Sequence, residues 1–367
     1  MKRIGITGVG GLIGWHLHAY LYGQKNTHVV KADRPTFLSK EKLDHFVASS
    51  DVIVHLAGMN RGDEKVVAET NIKLTNDLIS AFRRTNSQPH IIFASSTHIY
   101  RDTAYGNSKR ECTKFFRDWS ENSGGLFTNL ILPNVFGESG KPFHNSVVST
   151  FCYQIANEDE PEIINDIEME QLHAQDVARE ILCIIYSSRT GDITLKGVNI
   201  TVTELLYKLK MFDNNYRQYI IPDLTNKFDL YLFNTYRSYL FPDKYPVSAV
   251  LNKDERGSLF EAVKSLNGGQ VFISTTKPGI TRGNHYHISK LERFFVLSGQ
   301  ADIRIRKLFS RKFVTFKVNG LKPQYVDIPT LHTHDITNTG TDELITLFWS
   351  HEIYDPEYPD TYPETVI

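Results

Sequence analysis

The sequence predicts two domains of different class: an α/β doubly wound parallel sheet over residues 1–243, then an all-β barrel over residues 244–367. Two textures carry that expectation. From Met1 to about Lys210, short apolar runs alternate with longer segments of helical spacing. Strand–helix alternation calls for a parallel sheet wound by right-handed crossovers. After Lys253, short β-rich runs are separated by Gly, Pro and Asn turns, the pattern of an all-β barrel. The length of 367 residues suits two domains, at about 150 residues each.

The first strands read as Lys2–Thr7, His28–Ala32, Val52–Leu56, Ile91–Ala94 and Thr128–Leu132. Helical spacing falls around Gly14–Tyr22, Asn71–Arg84, Lys109–Ser120 and Val177–Tyr186. The barrel strands read as Gly269–Thr275, Glu292–Leu297, Ala301–Arg306, Val314–Val318 and Leu344–Trp349. An aromatic-rich stretch, Tyr216–Tyr245, lies between, and Pro242–Pro246 marks the expected boundary.

Composition narrows the function. Lys plus Arg is 41 against 42 for Asp plus Glu, so bulk charge gives no reason to expect nucleic-acid binding. No run of 18 apolar residues occurs, and the N-terminal MKRIGITGVGG reads as a strand, so neither a membrane span nor a secretory signal is expected. Cys112, Cys152 and Cys183 are odd in number and lack CxxC spacing. They read as buried thiols of a reducing, cytoplasmic compartment.

Gly8, Gly11, Leu12, Ile13 and Gly14 follow a strand and open a helix. Such a glycine run lets backbone N–H groups and a helix N-terminus meet a pyrophosphate, as in a Rossmann sheet. About 20 residues on, the second strand ends in Lys31-Ala32-Asp33-Arg34. Asp33 suits the ribose hydroxyls of NAD, and Arg34, helped by Lys31, suits the 2′-phosphate of NADP; the expectation leans to NADPH. Further on stand Ser95-Ser96 and Tyr105-x-x-x-Lys109. That spacing puts Tyr105 and Lys109 one helical turn apart on one face. A nearby ammonium is expected to lower the phenol's pKa, so that Tyr105 can pass a proton to a carbonyl oxygen.

These motifs, with Val54-His55-Leu56-Ala57-Gly58 and Leu132-Pro133-Asn134-Val135-Phe136-Gly137, resemble the extended short-chain dehydrogenase/reductases that act on nucleotide sugars. The resemblance covers about residues 1–210. It implies Ser96, Tyr105 and Lys109 as the catalytic set, with Ser95 or Thr97 as alternative hydroxyls because Ser96 lies closer to Tyr105 than is usual there. It also implies that Leu56, Ala57 and Gly58 line the cofactor, and that Asn134 and the loop Pro142–Ser146, with Asn145 and Ser146, approach the sugar nucleotide. The dehydratases of that family carry an Asp-Glu pair where this chain has Thr97-His98. That leaves reductase or epimerase chemistry.

The second constellation is His285-x-His287-x4-Glu292 followed by His334. Two histidines at i, i+2 on a strand face one side. With a Glu and a third His on later strands they form a metal set, for which zinc is the first expectation and iron, copper or nickel the alternatives. The pattern resembles the cupin fold. Asp254–Glu261 and Gly279–His287 further resemble the signatures of the 4-keto-6-deoxy-sugar 3,5-epimerases. That likeness implies that Arg256 and Arg282 face the sugar nucleotide and that His285 sits at the position of a general base. A histidine cannot be both a metal ligand and a free base, so a different residue must then move the proton.

Over its full length the chain resembles the CapF-like bifunctional capsular-polysaccharide enzymes, including Asp355-Pro356 and Pro359–Tyr362 near the end. The resemblance implies a homodimer acting on a UDP-sugar: C3 of a 4-keto-6-deoxy sugar is inverted in the cupin, and C4 is then reduced with NADPH. Two other readings are a reductase whose cupin holds only a structural metal, and a non-catalytic NADPH-binding redox sensor.

Overall fold

The computed structural model describes residues 1–255 and 257–367 and divides into two compact units. One comprises Met1–Thr150 and Asn165–Val202, the other Phe151–Ile164 and Thr203–Ile367.

The first unit is built on a six-stranded parallel sheet. Its strands are β1 (Lys2–Thr7), β2 (Thr27–Ala32), β3 (Val52–His55), β4 (His90–Ser96), β5 (Phe127–Leu132) and, after two short strands β6 (Asn134–Phe136) and β7 (Glu168–His173), β8 (Gly191–Thr194). The order β2-β1-β3-β4-β5-β8 places β1 inside, as double winding requires. β6, β7 and β9 (Val198–Thr201) form a small separate sheet in that order, with β7 in the middle.

Both faces of a parallel sheet are covered, so its strands read as continuous apolar runs whose alternate residues enter opposite cores. Ile4, Ile6, Val52, Val54 and Ile92 pack on one face against α1 (Leu12–Tyr22) and the Val177–Ile181 side of a helix over Ala174–Ser187. Ile53, Ile91 and Phe93 pack on the other against residues of Lys40–Ala48, Glu64–Thr85 and Ala104–Ser123. In chain order the helices are α1, α2 (Arg34–Phe37), α3 (Lys40–Ala48), α4 (Glu64–Thr85), α5 (Ala104–Ser123), α6 (Val147–Ala156) and α7 (Ala174–Ser187). Of the three cysteines expected to be buried, Cys183 is exposed, because it lies on the outward side of α7.

In the second unit come α8 (Val202–Arg217) and α9 (Lys227–Ser238), with a short β10 (Ile220–Ile221) between them. From β11 (Val247–Ser248) on, every regular element among the described residues is a strand. They are β12 (Asn252–Asp254), β13 (Gly257–Leu259), β14 (Lys264–Ser265), β15 (Gln270–Thr276), β16 (Thr281–Tyr286), β17 (Glu292–Ser298), β18 (Gln300–Lys307), β19 (Phe313–Asn319), β20 (Gln324–Ile328), β21 (His332–Asn338), β22 (Leu344–Ser350) and β23 (Tyr362–Pro363). Two five-stranded antiparallel sheets result, in the orders β11-β20-β17-β22-β15 and β19-β18-β21-β16-β23.

The aromatic-rich stretch takes in the end of α8 and all of α9, which clasp the first of these sheets. Arg293 on β17 and Asp327 on β20 form a fully buried bidentate pair at 2.7 and 2.9 Å. The Tyr216 phenol of α8 donates to that carboxylate, and Arg237 of α9 donates to the Ile328 carbonyl at 3.0 Å. A buried charge is tolerated only when paired and hydrogen-bonded, and here each partner has several bonds. No helix among the described residues is long and apolar enough to cross a membrane.

Two candidate active sites

β1 ends at Thr7, and Gly8 turns the chain at φ +71°. A Cβ on Gly8 would lie 2.7 Å from the Ala57 nitrogen, and one on Gly14 would lie 2.2 Å from the Gly8 carbonyl oxygen. Only hydrogen fits at either place, so the loop lies directly on the Leu56–Gly58 turn. The Thr7 hydroxyl ties the two together. It accepts from the amides of Leu56 and Ala57, both at 3.1 Å. It lies 2.8 Å from His55 Nδ1, and burial pushes that imidazole down to about 3. His55 is therefore neutral and can accept the Thr7 hydroxyl's hydrogen bond on Nδ1. Gly11 caps α1 without a side-chain acceptor, and the Cβ direction of Gly10 is open. The amides of the Leu12–Gly14 turn thus face a space with no competing cap, which fits a pyrophosphate.

Asp33 and Arg34 follow β2. Asp33 caps α2, accepting from the Thr36 amide at 3.0 Å and the Thr36 hydroxyl at 2.8 Å. Those bonds hold its carboxyl below the usual range. The exposed Arg34 guanidinium makes no hydrogen bond or ion pair among the described residues.

Ser96, Tyr105 and Lys109 converge from β4 and α5. Thr103 caps α5 by accepting from the Gly106 amide at 3.1 Å, which sets the helix to begin just before Tyr105. The Ser96 hydroxyl stands close enough to the Tyr105 phenol to lower its pKa, and it accepts from the His98 amide at 3.2 Å. Ser95 is buried, and its hydroxyl has no partner among the described residues. Lys109 Nζ donates to the Ala94 carbonyl at 2.8 Å and stands 5.8 Å from the Tyr105 ring centre.

The titration differs from the sequence expectation. Burial pushes the Tyr105 phenol up to about 12, with the Ser96 hydroxyl opposing, and burial pulls Lys109 down to about 8. The ammonium is spent on a carbonyl rather than on the phenol. Desolvation therefore outweighs the expected charge effect.

Asn134 is exposed on β6, its amide donating to the Glu170 carbonyl at 3.3 Å. Asn145 donates to Asn60, and Arg61 donates to the carbonyls of Phe143 and His144. Ser146 accepts from the Ser149 amide at 3.2 Å at the start of α6. The loop expected to approach a sugar nucleotide is thus held by Asn60 and Arg61, which sequence reasoning did not single out. Nor did it single out Asn71, a buried polar residue on α4 that clamps Met59 through both amide atoms, at 2.8 and 2.9 Å. A polar residue on the inward stripe of an amphipathic helix is the signal that could have found it.

Behind the loop, Glu138 is buried against two histidines. His173 Nε2 lies 3.1 Å from its Oε2, and His16 of α1 donates to its carbonyl at 2.9 Å. Burial alone would push this carboxyl up, but His173 and His16 bring it down from 4.5 to about 2. A carboxyl lowered in the folded state stabilises above its unfolded pKa and loses that contribution as pH falls through the folded one. The chain is therefore expected to lose on the order of 3 kcal/mol between about pH 4.5 and 2 from this group. Glu138→Gln should flatten that limb of a denaturation-versus-pH curve.

The second site lies at one end of the paired strands β16 and β21. His285, His287, Glu292 and His334 offer ligand atoms all within 4.8 Å of one another. His287 Nε2 is 2.9 Å and His334 Nε2 3.4 Å from Glu292 Oε2. Neither contact has the direction of a hydrogen bond, so both buried nitrogens are unsatisfied. Their Nδ1 atoms face carbonyls, of Asp360 at 2.6 Å and of His332 at 3.3 Å. A carbonyl only accepts, so each Nδ1 keeps its proton and Nε2 is the nitrogen left to offer a lone pair to an ion; without one, Glu292 raises His287 above its ordinary value against burial, while burial lowers His334. Burial, then His334 and His287, pushes His285 down to about 3, leaving it neutral. Three imidazoles and one carboxylate, two of their nitrogens orphaned, fit a divalent metal.

Arg282 pairs with Ile336 and His285 with His334, and a bulge between Gly283 and His285 lets both share one face of the sheet. The Arg282 guanidinium donates to the Thr276 hydroxyl and the Thr275 carbonyl, both at 3.0 Å. Arg256 lies outside the described residues.

Fold and sequence together define the class. Residues 4–197 match the NAD dependent epimerase/dehydratase family, and residues 252–362 match the polysaccharide biosynthesis C-terminal domain family. The chain is 32% identical over 365 residues to UDP-2-acetamido-2,6-beta-L-arabino-hexul-4-ose reductase of Pseudomonas aeruginosa, covering 98% of each. The crystal structure of the capsular polysaccharide assembling protein CapF of Staphylococcus aureus matches it with a TM-score of 0.65 and 33% identity, covering 100% of both chains. The structure of RMD from Pseudomonas aeruginosa complexed with NADPH shares the fold over 58% of this chain and 85% of that one, with a TM-score of 0.52 at 20% identity. The chain belongs to the CapF-like family of nucleotide-sugar reductases and epimerases.

Proposed function

We propose that the chain performs two consecutive steps on one UDP-sugar. Residues 244–367, as a cupin, invert C3 of a UDP-4-keto-6-deoxy-HexNAc. Residues 1–243 then reduce the C4 ketone with NADPH to UDP-2-acetamido-2,6-dideoxy-L-talose. The observation that carries this reading is the Ser96–Tyr105 pair beside Lys109 in one unit and the four-ligand cluster in the other. The name of the Pseudomonas relative, a reductase of a 4-ketosugar nucleotide, supports the substrate class.

In the first site, NADPH supplies the hydride that arrives at C4. Tyr105 gives its proton to O4 as that oxygen becomes an alcohol. A phenol held at about 12 is fully protonated at neutral pH, which is the form a donor needs. The Ser96 hydroxyl sits at the phenol and can donate to the same oxygen. Lys109 holds the wall formed by Gly58 and Ala94, and it can return a proton to the tyrosine.

In the second site, His285, His287, Glu292 and His334 would hold zinc, whose chemistry there is polarisation of a carbonyl oxygen. Arg282, on the same face, adds positive charge where an enolate oxygen develops. The proton that leaves C3 returns on the opposite face, with no net redox change.

The full chain, given such a 4-ketosugar and NADPH, should consume the cofactor and yield the L-talo product by NMR. A reduced product with C3 uninverted would leave the reductase reading and remove the epimerase. No cofactor consumption with any 4-keto nucleotide sugar would overturn the enzyme reading. Cofactor choice has its own test. Arg34→Ala should raise KM for NADPH by about tenfold or more, the loss of one charge-assisted phosphate contact, and leave KM for NADH nearly unchanged. Equal effects on both would show that Arg34 does not read the 2′-phosphate.

A further inference from the structure

The last residues of the chain fold back over the corner that carries the ligand cluster. β23 pairs antiparallel with β16, Pro363 opposite His285 and Tyr362 opposite Tyr286. Beyond it, Arg306 secures the chain through Glu364 at 2.7 Å and the Val366 carbonyl at 2.8 Å. Just before β23, Asp360 reaches into the turn that joins β16 to β17. Its Oδ1 accepts from the Ile288 amide at 2.9 Å. Its Oδ2 accepts from the amides of Ser289 at 2.8 Å and Lys290 at 2.7 Å, and from the Ser289 hydroxyl at 3.0 Å. Its own carbonyl accepts from His287 Nδ1 at 2.6 Å. To do this Asp360 adopts φ +40°, the left-handed region.

The turn so held carries His287 at one end and Glu292 at the other, two of the four candidate ligands. We infer that Asp360 is a positioning residue for metal binding, its carboxylate fixing the turn and its carbonyl fixing the His287 tautomer and ring direction. The inference rests on the metal reading of the second site. The same residue acts in two ways. Three successive amides are satisfied by one carboxylate, so the turn cannot rotate without stranding them. A carbonyl on Nδ1 leaves Nε2 as the ligand nitrogen and limits the ring to one orientation.

The test uses the full-length chain, stripped of metal and titrated with zinc against a chromophoric chelator, then loaded with cobalt(II) for its ligand-field spectrum. Asp360→Ala should weaken zinc binding about 10–100-fold, the usual cost of losing such an outer partner, and shift the cobalt bands. Asp360→Asn keeps the shape but loses one acceptor, so it should show the same changes to a smaller degree. Glu364→Gln loosens the strap away from His287 and should leave both readouts unchanged.

If Asp360→Ala fails to fold, Asp360→Asn decides. Wild-type zinc affinity in a folded Asp360 variant overturns the inference. Weaker zinc binding with an unchanged cobalt spectrum also overturns it, because mere destabilisation would do that. If the unchanged chain binds no zinc, the metal reading falls and takes the inference with it; if it does bind and the variants bind equally, the inference alone falls.

Discussion

Tyr105→Phe should cut ketone reduction about 10²–10⁴-fold, the usual contribution of a positioned general acid. The substitution removes one oxygen and keeps the ring. Tyr105 is only half-buried, and Ser96 retains its bond from the His98 amide, so the fold has no reason to fail. Because the phenol acts chiefly as charge develops on O4, kcat should fall while KM for the sugar stays near its wild-type value. Cofactor consumption under saturating ketosugar measures this directly. Ser96→Ala should show a smaller loss with the same pattern. Ser95→Ala should show none, since that hydroxyl has no partner. A Phe variant that consumes NADPH at the wild-type rate would remove Tyr105 from the mechanism.

The first unit was the more legible part of the sequence, for a physical reason. Strands buried on both faces are runs of apolar residues, and β1, β3, β4 and β5 appear where such runs stand. β8 was missed because Gly191–Thr194 is a short edge strand with exposed side chains. In the second unit, β20 and β21 bury Asp327, His332, His334 and Asp335. Polar residues in a strand read as loop unless their partners are known, and Arg293 and Arg304 lie far off in sequence. The same holds for α9, whose buried Arg237 bonds to β20 and whose buried Asn234 bonds to the turn between β16 and β17. The ligand spacings were legible because strand periodicity alone puts His285 and His287 on one side. The Tyr105 and Lys109 titrations were not, because burial cannot be read from a helical spacing. Nor was Asp360, whose partners lie about seventy residues earlier in the chain.

Removing the metal should abolish the first of the two proposed steps and leave the second chemically competent. A hydrogen on the carbon beside a ketone is acidic because its loss gives a delocalised enolate. Once C4 is an alcohol that acidity is gone, so inversion at C3 must come before reduction and must not need NADPH. The measurement is deuterium uptake at C3 of a UDP-4-keto-6-deoxy-HexNAc in D₂O without cofactor, followed by mass spectrometry of the sugar. The Tyr105→Phe chain should exchange at the wild-type rate, since its second unit is untouched. The chelated chain should exchange on the order of 10²-fold or more slowly, because Lewis-acid stabilisation of the developing oxyanion supplies several kcal/mol. Chelation should also lower the melting temperature of the second unit, since metal binding free energy adds to folding free energy. Reloading with zinc should restore both. In the folded state His287 and His334 each turn an unsatisfied buried nitrogen toward Glu292, so the stripped site is left with groups that only a cation satisfies well. A chelated chain that exchanges at full rate yet melts early would make the ion structural and leave the proton transfer to protein groups alone. One that melts and exchanges unchanged would show that the cluster holds no metal that matters to either.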